Sequence, residues 1–358
     1  MILFLILAAG LWGFGWYFKT PVQARLITIG LLYLAFVALL IVLPPTVPLR
    51  ETLGGSASEW LALGVIGGLI FGYSLVLKQI RKRVRPENTR SGDPLPSIEG
   101  PFTAAELDRY ARHIVLREVG GAGQRRLKTA KVLVVGAGGL GAPALQYLAA
   151  AGVGTIGVID DDTVDNSNLQ RQVIHRDETI GMPKVFSAEK AIKALNPYVA
   201  VRPYNRRLDE EIARDLVSDY DLVLDGSDNF DTRYVTNRAC VKAGVPLVSG
   251  AISQWEGQLS LFDPARGTPC YQCIFPEAPA AGLAPSCAEA GVIGPLPGVV
   301  GAMMAVEAVK EITGAGETLA GAMLIYDGLY GETRRIALSR REDCPVCGAA
   351  SGKRPAAE

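Results

Sequence analysis

The stretch Lys131–Asp160, KVLVVGAGGLGAPALQYLAAAGVGTIGVID, constrains this chain more than any other. It opens on a short apolar run, Val132–Val135, and turns through Gly136-Ala137-Gly138-Gly139-Leu140-Gly141. An Ala/Leu-rich helical pattern follows to Ala151, then a turn at Gly152–Gly154 and a second apolar run closed by Asp160. Strand, glycine turn, helix, strand and terminal carboxylate are the parts of a mononucleotide-binding βαβ unit. The glycines let the backbone bend sharply and approach phosphate, and the helix aims its first N–H groups at the anion. Asp160 stands where a ribose hydroxyl needs an acceptor. The motif predicts an adenine nucleotide but does not choose among them.

The N-terminal region has a different character. Residues 2–18, 26–43 and 60–77 are three uncharged apolar runs, broken by Lys19, Pro21 and Arg25, by Pro44-Pro45, and by a polar loop from Arg50 to Glu59. Each is close to the length that crosses the hydrocarbon core of a bilayer as a helix. Lys78, Arg81, Lys82, Arg83 and Arg85 follow the third run, and basic residues stay on the cytoplasmic side. The first run has neither the basic n-region nor the small-residue cleavage site of a signal peptide. The expected layout is an anchor of three transmembrane helices over 1–80 with the N-terminus outside. A Pro-rich linker (81–101), a soluble domain (102–350) and a polar tail (351–358) follow it. The expected location is the bacterial inner membrane, multi-pass, with the catalytic domain in the cytoplasm.

In the soluble part, Thr103-x-x-Glu106 is a capping box that starts a helix carrying Leu107, Tyr110 and Ile114. The loop after Asp160 is dense in acceptors through Asn168 and closes with Arg171. Pro183-Lys184 opens a helix to about Leu195. The strand Leu222–Leu224 ends in Asp225-Gly226-Ser227-Asp228-Asn229, a carboxylate-rich loop at a strand's carboxyl end, where open α/β sheets bind ligands. Further strands are expected near 199–204, 246–249, 258–262, 323–326 and 333–338, with helices near 209–217 and 299–312. The fold class is therefore α/β: a Rossmann-like, mostly parallel sheet with helices on both faces. Residues 276–291, rich in Ala, Pro and Gly and containing Cys287, are expected to form a mobile loop.

Lys+Arg and Asp+Glu balance at 36 each, so no basic excess points to nucleic acid, and none is expected as a partner. With two histidines, His113 and His175, a His-rich metal site is excluded. Four of the six cysteines form two C-x-x-C pairs, Cys270/Cys273 and Cys344/Cys347. Four thiolates suit tetrahedral zinc in a closed, structural site that clips the C-terminal end to the body of the domain. Cys240 lies in a helical pattern as a core residue. The glycine loop alone would suit an NAD-dependent oxidoreductase. Arg171, Lys184 and Asp228 weigh against that, because two cations and a second carboxylate match a triphosphate with magnesium.

The segments RYARHIVL, GAGGLG, DDDTVDNSNLQRQ, GMPK, DGSDN, PCYQC, GVIGP and CPVCG occur in this order over about residues 103–348. In that order and spacing the chain resembles the MoeB/ThiF/HesA proteins, bacterial relatives of ubiquitin-activating enzymes. The resemblance implies an adenylyltransferase that uses ATP and magnesium on the C-terminal glycine of a ubiquitin-like sulfur-carrier protein ending in Gly-Gly. Sulfur transfer in molybdopterin, thiamine or related biosynthesis would follow. By match of motif, Gly136, Gly138, Gly139 and Gly141 cradle the nucleotide and Asp160 takes the ribose. Asn168, Arg171 and Lys184 contact phosphates, and Asp228 binds magnesium. Arg112 reaches across a homodimer interface to the γ-phosphate, and the four paired cysteines hold zinc. Some relatives use a cysteine at the place of Cys287 for a covalent link to the carrier. A separate sulfur-donor protein is expected, since no rhodanese-like domain follows, and the apolar N-terminus is not typical of such relatives. A peptide, a small molecule or tRNA stand as alternative adenylation substrates.

Overall fold

The computed structural model describes residues 2–73 apart from 19, 45–46, 48–52, 55, 57, 66 and 70–71, together with 100–279 and 290–348. The chain divides into two compact units, 1–92 and 93–358.

In the first unit, α1 (Ile2–Tyr17) carries no charge, and α2 (Val22–Val42) is uncharged after Arg25 in its first turn. Phe4 meets Tyr33, Phe36 and Trp60 edge-on at 6.3, 5.5 and 5.3 Å, a geometry aromatic quadrupoles favour. The expectation of three membrane spans is not met. Among the described residues one stretch is long and apolar enough to cross, Ala24–Val42, with a mean hydropathy of 2.5. At 16 residues α1 is about 24 Å long, short of a hydrocarbon core of about 30 Å. The third expected run is helical at 58–65, but 66, 70–71 and 74–77 lie outside the described residues, as do 81–99 of the expected linker.

The second unit is a doubly wound sheet. Its helices are α3 (Ala104–Ile114), α4 (Gly120–Thr129), α5 (Gly141–Ala151), α6 (Lys184–Leu195), α7 (Glu210–Ser218), α8 (Phe230–Ala243) and α9 (Pro295–Thr313). Its strands are β1 (Lys131–Val135), β2 (Thr155–Ile159), β3 (Ala200–Tyr204), β4 (Leu222–Asp225), β5 (Leu247–Ile252), β6 (Glu256–Phe262), β7 (Ala322–Asp327) and β8 (Glu332–Ala337), in the spatial order β3-β2-β1-β4-β5-β6-β7-β8. The first five in that order run parallel, and β6, β7 and β8 are added antiparallel.

Strand alternation divides the core between the two faces of the sheet. Val132, Val134, Leu222, Leu224 and Val248 pack with residues of α4, α5, α6 and α9. Leu133, Val135, Val223 and Leu247 pack with residues of α7 and α8. Cys240 of α8 is buried in this second layer, as its helical pattern implies.

The capping box is present at α3, where Thr103 Oγ1 accepts from the Glu106 N–H and Glu106 Oε2 accepts from the Thr103 N–H. Glu106 does more than cap. Its Oε1 pairs with Lys128 Nζ of α4 at 2.9 Å, both side chains are buried, and Lys128 also lies over the Phe102 ring at 4.8 Å. Helix α4 has no counterpart in the sequence expectations, because Gly120, Gly121 and Gly123 argue against a helix there. Gly123 explains its place. A Cβ there would meet Val119 at 3.0 Å and Thr313 of α9 at 3.3 Å, so the glycine lets α4 lie close against α9.

Candidate functional site

The sheet changes winding direction between β1 and β4, and the crevice beyond their carboxyl ends is where ligands bind in such folds. Glycines make this crevice. Gly136 has φ of 90°, which a side chain would strain, and a Cβ on Gly141 would fall 1.8 Å from the Gly136 carbonyl oxygen. The loop after β1 is thereby folded tightly onto the start of α5, against Gly226 of the loop after β4.

A cavity of about 870 Å³ opens there. Gly136, Gly138, Gly139, Asp160, Arg171, Lys184 and Asp228 all line it. Gly141 does not face it but supports it from behind. Asn168 is outside the lining and caps its own short turn, its Oδ1 accepting from the Asp165 N–H at 3.2 Å. Arg112 is exposed on α3, also outside the lining, and Cys287 lies outside the described residues.

Asp160 holds the loop as well as facing the cavity. Its Oδ2 accepts from the Ala137 N–H at 2.7 Å and its Oδ1 from the Asp162 N–H at 2.9 Å. Burial pushes its carboxyl above the usual range, against the pull of Lys184 and these two N–H groups. Lys184 begins α6 behind Pro183. Its side chain is 7% exposed, and its Nζ lies 2.6 Å from Asp162 Oδ2. The Lys184 N–H donates to the Asp162 carbonyl at 2.9 Å, so main chain and side chain bring the cation to the same place. Arg171 donates to the Ser167 carbonyl at 3.1 Å and pairs with no carboxylate among the described residues. Its charge is left for the cavity.

On the opposite wall, the buried Asp225 ends β4 and accepts from the N–H and hydroxyl of Ser227 at 2.9 and 2.6 Å. This turn presents Asp228, exposed and with no hydrogen bond among the described residues, at the cavity edge. Asn229 caps α8 through the Thr232 N–H at 2.9 Å.

The family model for ThiF matches residues 110–346, two thirds of the chain, and spans every element that lines this cavity. The chain belongs to the ThiF family. The "Sulfur carrier protein adenylyltransferase" of Thermus thermophilus is 52% identical over 251 residues, covering 69% of this chain and 93% of that protein. The "SAMP-activating enzyme E1" of Haloferax volcanii is 51% identical over 245 residues, covering 68% and 90%. Among solved structures, E. coli MccB with MccA-N7isoASN superposes with a TM-score of 0.60 at 24% identity, covering 67% of this chain and 74% of that one. That likeness is one of fold.

Several residues of this ThiF-family cavity escaped sequence reasoning. Arg233 is buried in α8 and lines the cavity. It donates to Ser249 Oγ and to the carbonyls of Ser227 and Gly250, tying the Asp228 loop to β5. Gln172 and Ser260 are buried in the lining, and Gln172 Oε1 and Ser260 Oγ have no partner among the described residues. A buried polar atom left so is satisfied only by a bound molecule or water. Arg206 and Arg207 add two cations from the loop after β3. An arginine four residues into a capped helix was the one available signal for Arg233; the others depend on which strand lies next to which.

A second constellation lies apart from the cavity. Cys270, Cys273, Cys344 and Cys347 are all buried, with Sγ separations of 3.9 Å (Cys270–Cys273), 3.6 Å (Cys270–Cys344) and 3.4 Å (Cys273–Cys347). These are too long for disulfides and match the roughly 3.8 Å edge of a tetrahedron with metal–sulfur bonds of about 2.3 Å. Burial raises the Cys344 thiol, but the N–H groups of Cys347 and Val346 outweigh it and hold it at about 7. The donor set fits zinc: four soft, converging sulfurs with no position for a reactant.

Proposed function

We propose that this chain is an adenylyltransferase that uses ATP to activate the C-terminal carboxylate of a small ubiquitin-like sulfur-carrier protein ending in Gly-Gly. One observation carries the proposal. In a chain matching 93% of a sulfur carrier protein adenylyltransferase, a glycine loop, an unpaired arginine, a buried lysine and a carboxylate loop line one cavity at the sheet's switch point.

The chemistry needs no catalytic base. The carrier's terminal carboxylate oxygen attacks the α-phosphorus, the bond from that phosphorus to the α–β bridging oxygen breaks, and pyrophosphate leaves with its electron pair. Positioning two anions and neutralising the leaving group supply the rate. The glycine loop and the start of α5 receive the phosphates, Asp160 accepts from the ribose, and Arg171 and Lys184 draw negative charge toward the β and γ oxygens. Lys184 exchanges Asp162 for phosphate as the nucleotide enters. Asp228 would hold magnesium, which would offset charge on the triphosphate, a role its exposed position at the cavity edge supports. The four cysteines hold zinc as a structural clip.

Arg112 is exposed on α3, as are the apolar Leu107 of the same helix and Val115 and Leu116 just after it. It completes the cavity of a second copy in a homodimer. Membrane attachment through α2 is supported by the length and hydropathy of Ala24–Val42, and the bacterial inner membrane with the catalytic unit in the cytoplasm is the location proposed for it. Membrane fractionation of the full chain against a version lacking residues 1–92 tests it, and equal partitioning of the two would end that idea. For the activity, ATP–pyrophosphate exchange is measured with purified carriers ending in Gly-Gly and with the same carriers lacking the final glycine. Carrier-dependent exchange lost on truncation is the expected result. Exchange indifferent to the carrier's end would refute the substrate assignment.

A further inference from the structure

We infer that His175, which stands outside the glycine loop and does not line the cavity, fixes the loop's nucleotide-receiving shape and is a positioning residue for ATP. The role depends on the cavity being the nucleotide site proposed above.

Ala137 sits between two glycines that line the cavity, yet is itself fully buried. Both of its backbone polar groups are held. Its N–H donates to Asp160 Oδ2 at 2.7 Å, and its carbonyl oxygen lies 2.9 Å from His175 Nε2. A carbonyl can only accept, so Nε2 carries the proton. Nδ1 lies 2.9 Å from Ser187 Oγ. The Ser187 hydroxyl donates in turn to Thr179 Oγ1 at 3.0 Å. The imidazole is thus held at both nitrogens, which sets its tautomer and its ring plane.

The surroundings favour the neutral ring. His175 is 4% exposed, and burial lowers its pKa, opposed by the Ala137 carbonyl and reinforced by Lys184.

The consequence for the loop is electrostatic. An anion cradle works because N–H groups face the ligand and carbonyls do not. Gly136 and Gly138 flank Ala137, and neither resists rotation of the adjoining peptide units. A glycine-flanked carbonyl without a partner is free to turn toward the cavity and set its negative end against the phosphates. His175 removes that freedom by occupying the carbonyl. Ser187 lies three residues after Lys184 on α6. One helix therefore brings a cation to the cavity and, through His175, fixes the backbone on which the phosphates rest.

The test uses the full chain with a carrier that supports exchange, comparing parent, His175→Leu, His175→Gln and Ser187→Ala. Leucine leaves the Ala137 carbonyl without a donor, and the ATP KM should rise about tenfold while kcat changes less than about twofold. Glutamine restores an N–H near the place of Nε2, and its KM should return to within about threefold of the parent. An unchanged KM in the leucine variant overturns the assignment, and so does an equal loss in the leucine and glutamine variants, which a merely structural role would give. Where the leucine variant fails to fold, Ser187→Ala decides: a KM raised about threefold supports the role and an unchanged one ends it. A parent protein inactive with every carrier would refute the function proposed above. An active parent with unshifted variants refutes only the role of His175.

Discussion

Asp228 is exposed and bonded to nothing among the described residues, so Asp228→Ala should leave the melting temperature within about 1 °C of the parent. Exchange should fall by about 10²-fold or more if the carboxylate holds the metal on the triphosphate. A variant with parental exchange removes the metal role. Asp228, Gly136, Gly138, Asp160, Arg171 and Lys184 sit in short local motifs whose spacing places them at strand ends and helix starts, and they line one cavity. Arg233 and His175 are not legible in this way, because each acts through a carbonyl on a different element, and sequence order does not say which elements become neighbours.

Among the elements, those with strong periodicity or clear caps were readable, including β1–α5–β2 and the capping box of α3. Helix α4 was not, since its glycines look like breakers until the close approach of α9 is known. The buried Glu106–Lys128 pair that joins α3 to α4 was equally hidden behind a capping role that needs no partner. Burial raises the Glu106 carboxyl, but the Thr103 donors and Lys128 outweigh it and hold the group below its ordinary value of 4.5. A depressed carboxyl contributes stability that is complete above the ordinary value and is lost as pH falls through the folded-state value. Glu106→Gln leaves Lys128 buried without its counter-charge and should cost about 3 kcal/mol at pH 7. The gap between parent and variant in denaturant titrations should then narrow as pH falls below the ordinary carboxyl value of 4.5. A gap constant from pH 7 to pH 3 contradicts this account. The cysteine clip was read correctly as four converging thiols because paired C-x-x-C spacing carries its own geometry. Cys344→Ser should release zinc, measured by a chromophoric chelator, and lower stability by about 2–5 kcal/mol. Zinc held as tightly as in the parent would show that the metal is elsewhere.

For the molecule as a whole, the sequence revealed the doubly wound plan and the separate apolar N-terminus. Of the three spans it led us to expect, one stretch among the described residues, Ala24–Val42, is long and apolar enough to cross, and part of the third run lies outside those residues. Subunit architecture leaves no local trace, and its prediction follows from placement. Arg112 lies outside its own cavity and Asp228 lines it. If Arg112 serves a second copy, Arg112→Ala and Asp228→Ala are each inactive alone. Mixed dimers carry one intact site, so an equal mixture after subunit exchange should regain about a quarter of parental exchange. A mixture as inactive as its parts would mean that Arg112 and Asp228 of one subunit serve the same site, against a role for Arg112 in the second copy.

The sulfur ligands come in two pairs separated by the whole of α9, β7 and β8. During synthesis the first pair leaves the ribosome with only half of a tetrahedron, and two thiolates hold zinc far more weakly than four. If the four thiolates hold zinc, its firm uptake waits until Cys347 has emerged, after the last strand is available to join the sheet. A message cut short, or a ribosome stalled, before β8 would yield a polypeptide lacking the second sulfur pair and left with an open sheet edge of the kind that quality-control machinery recognises.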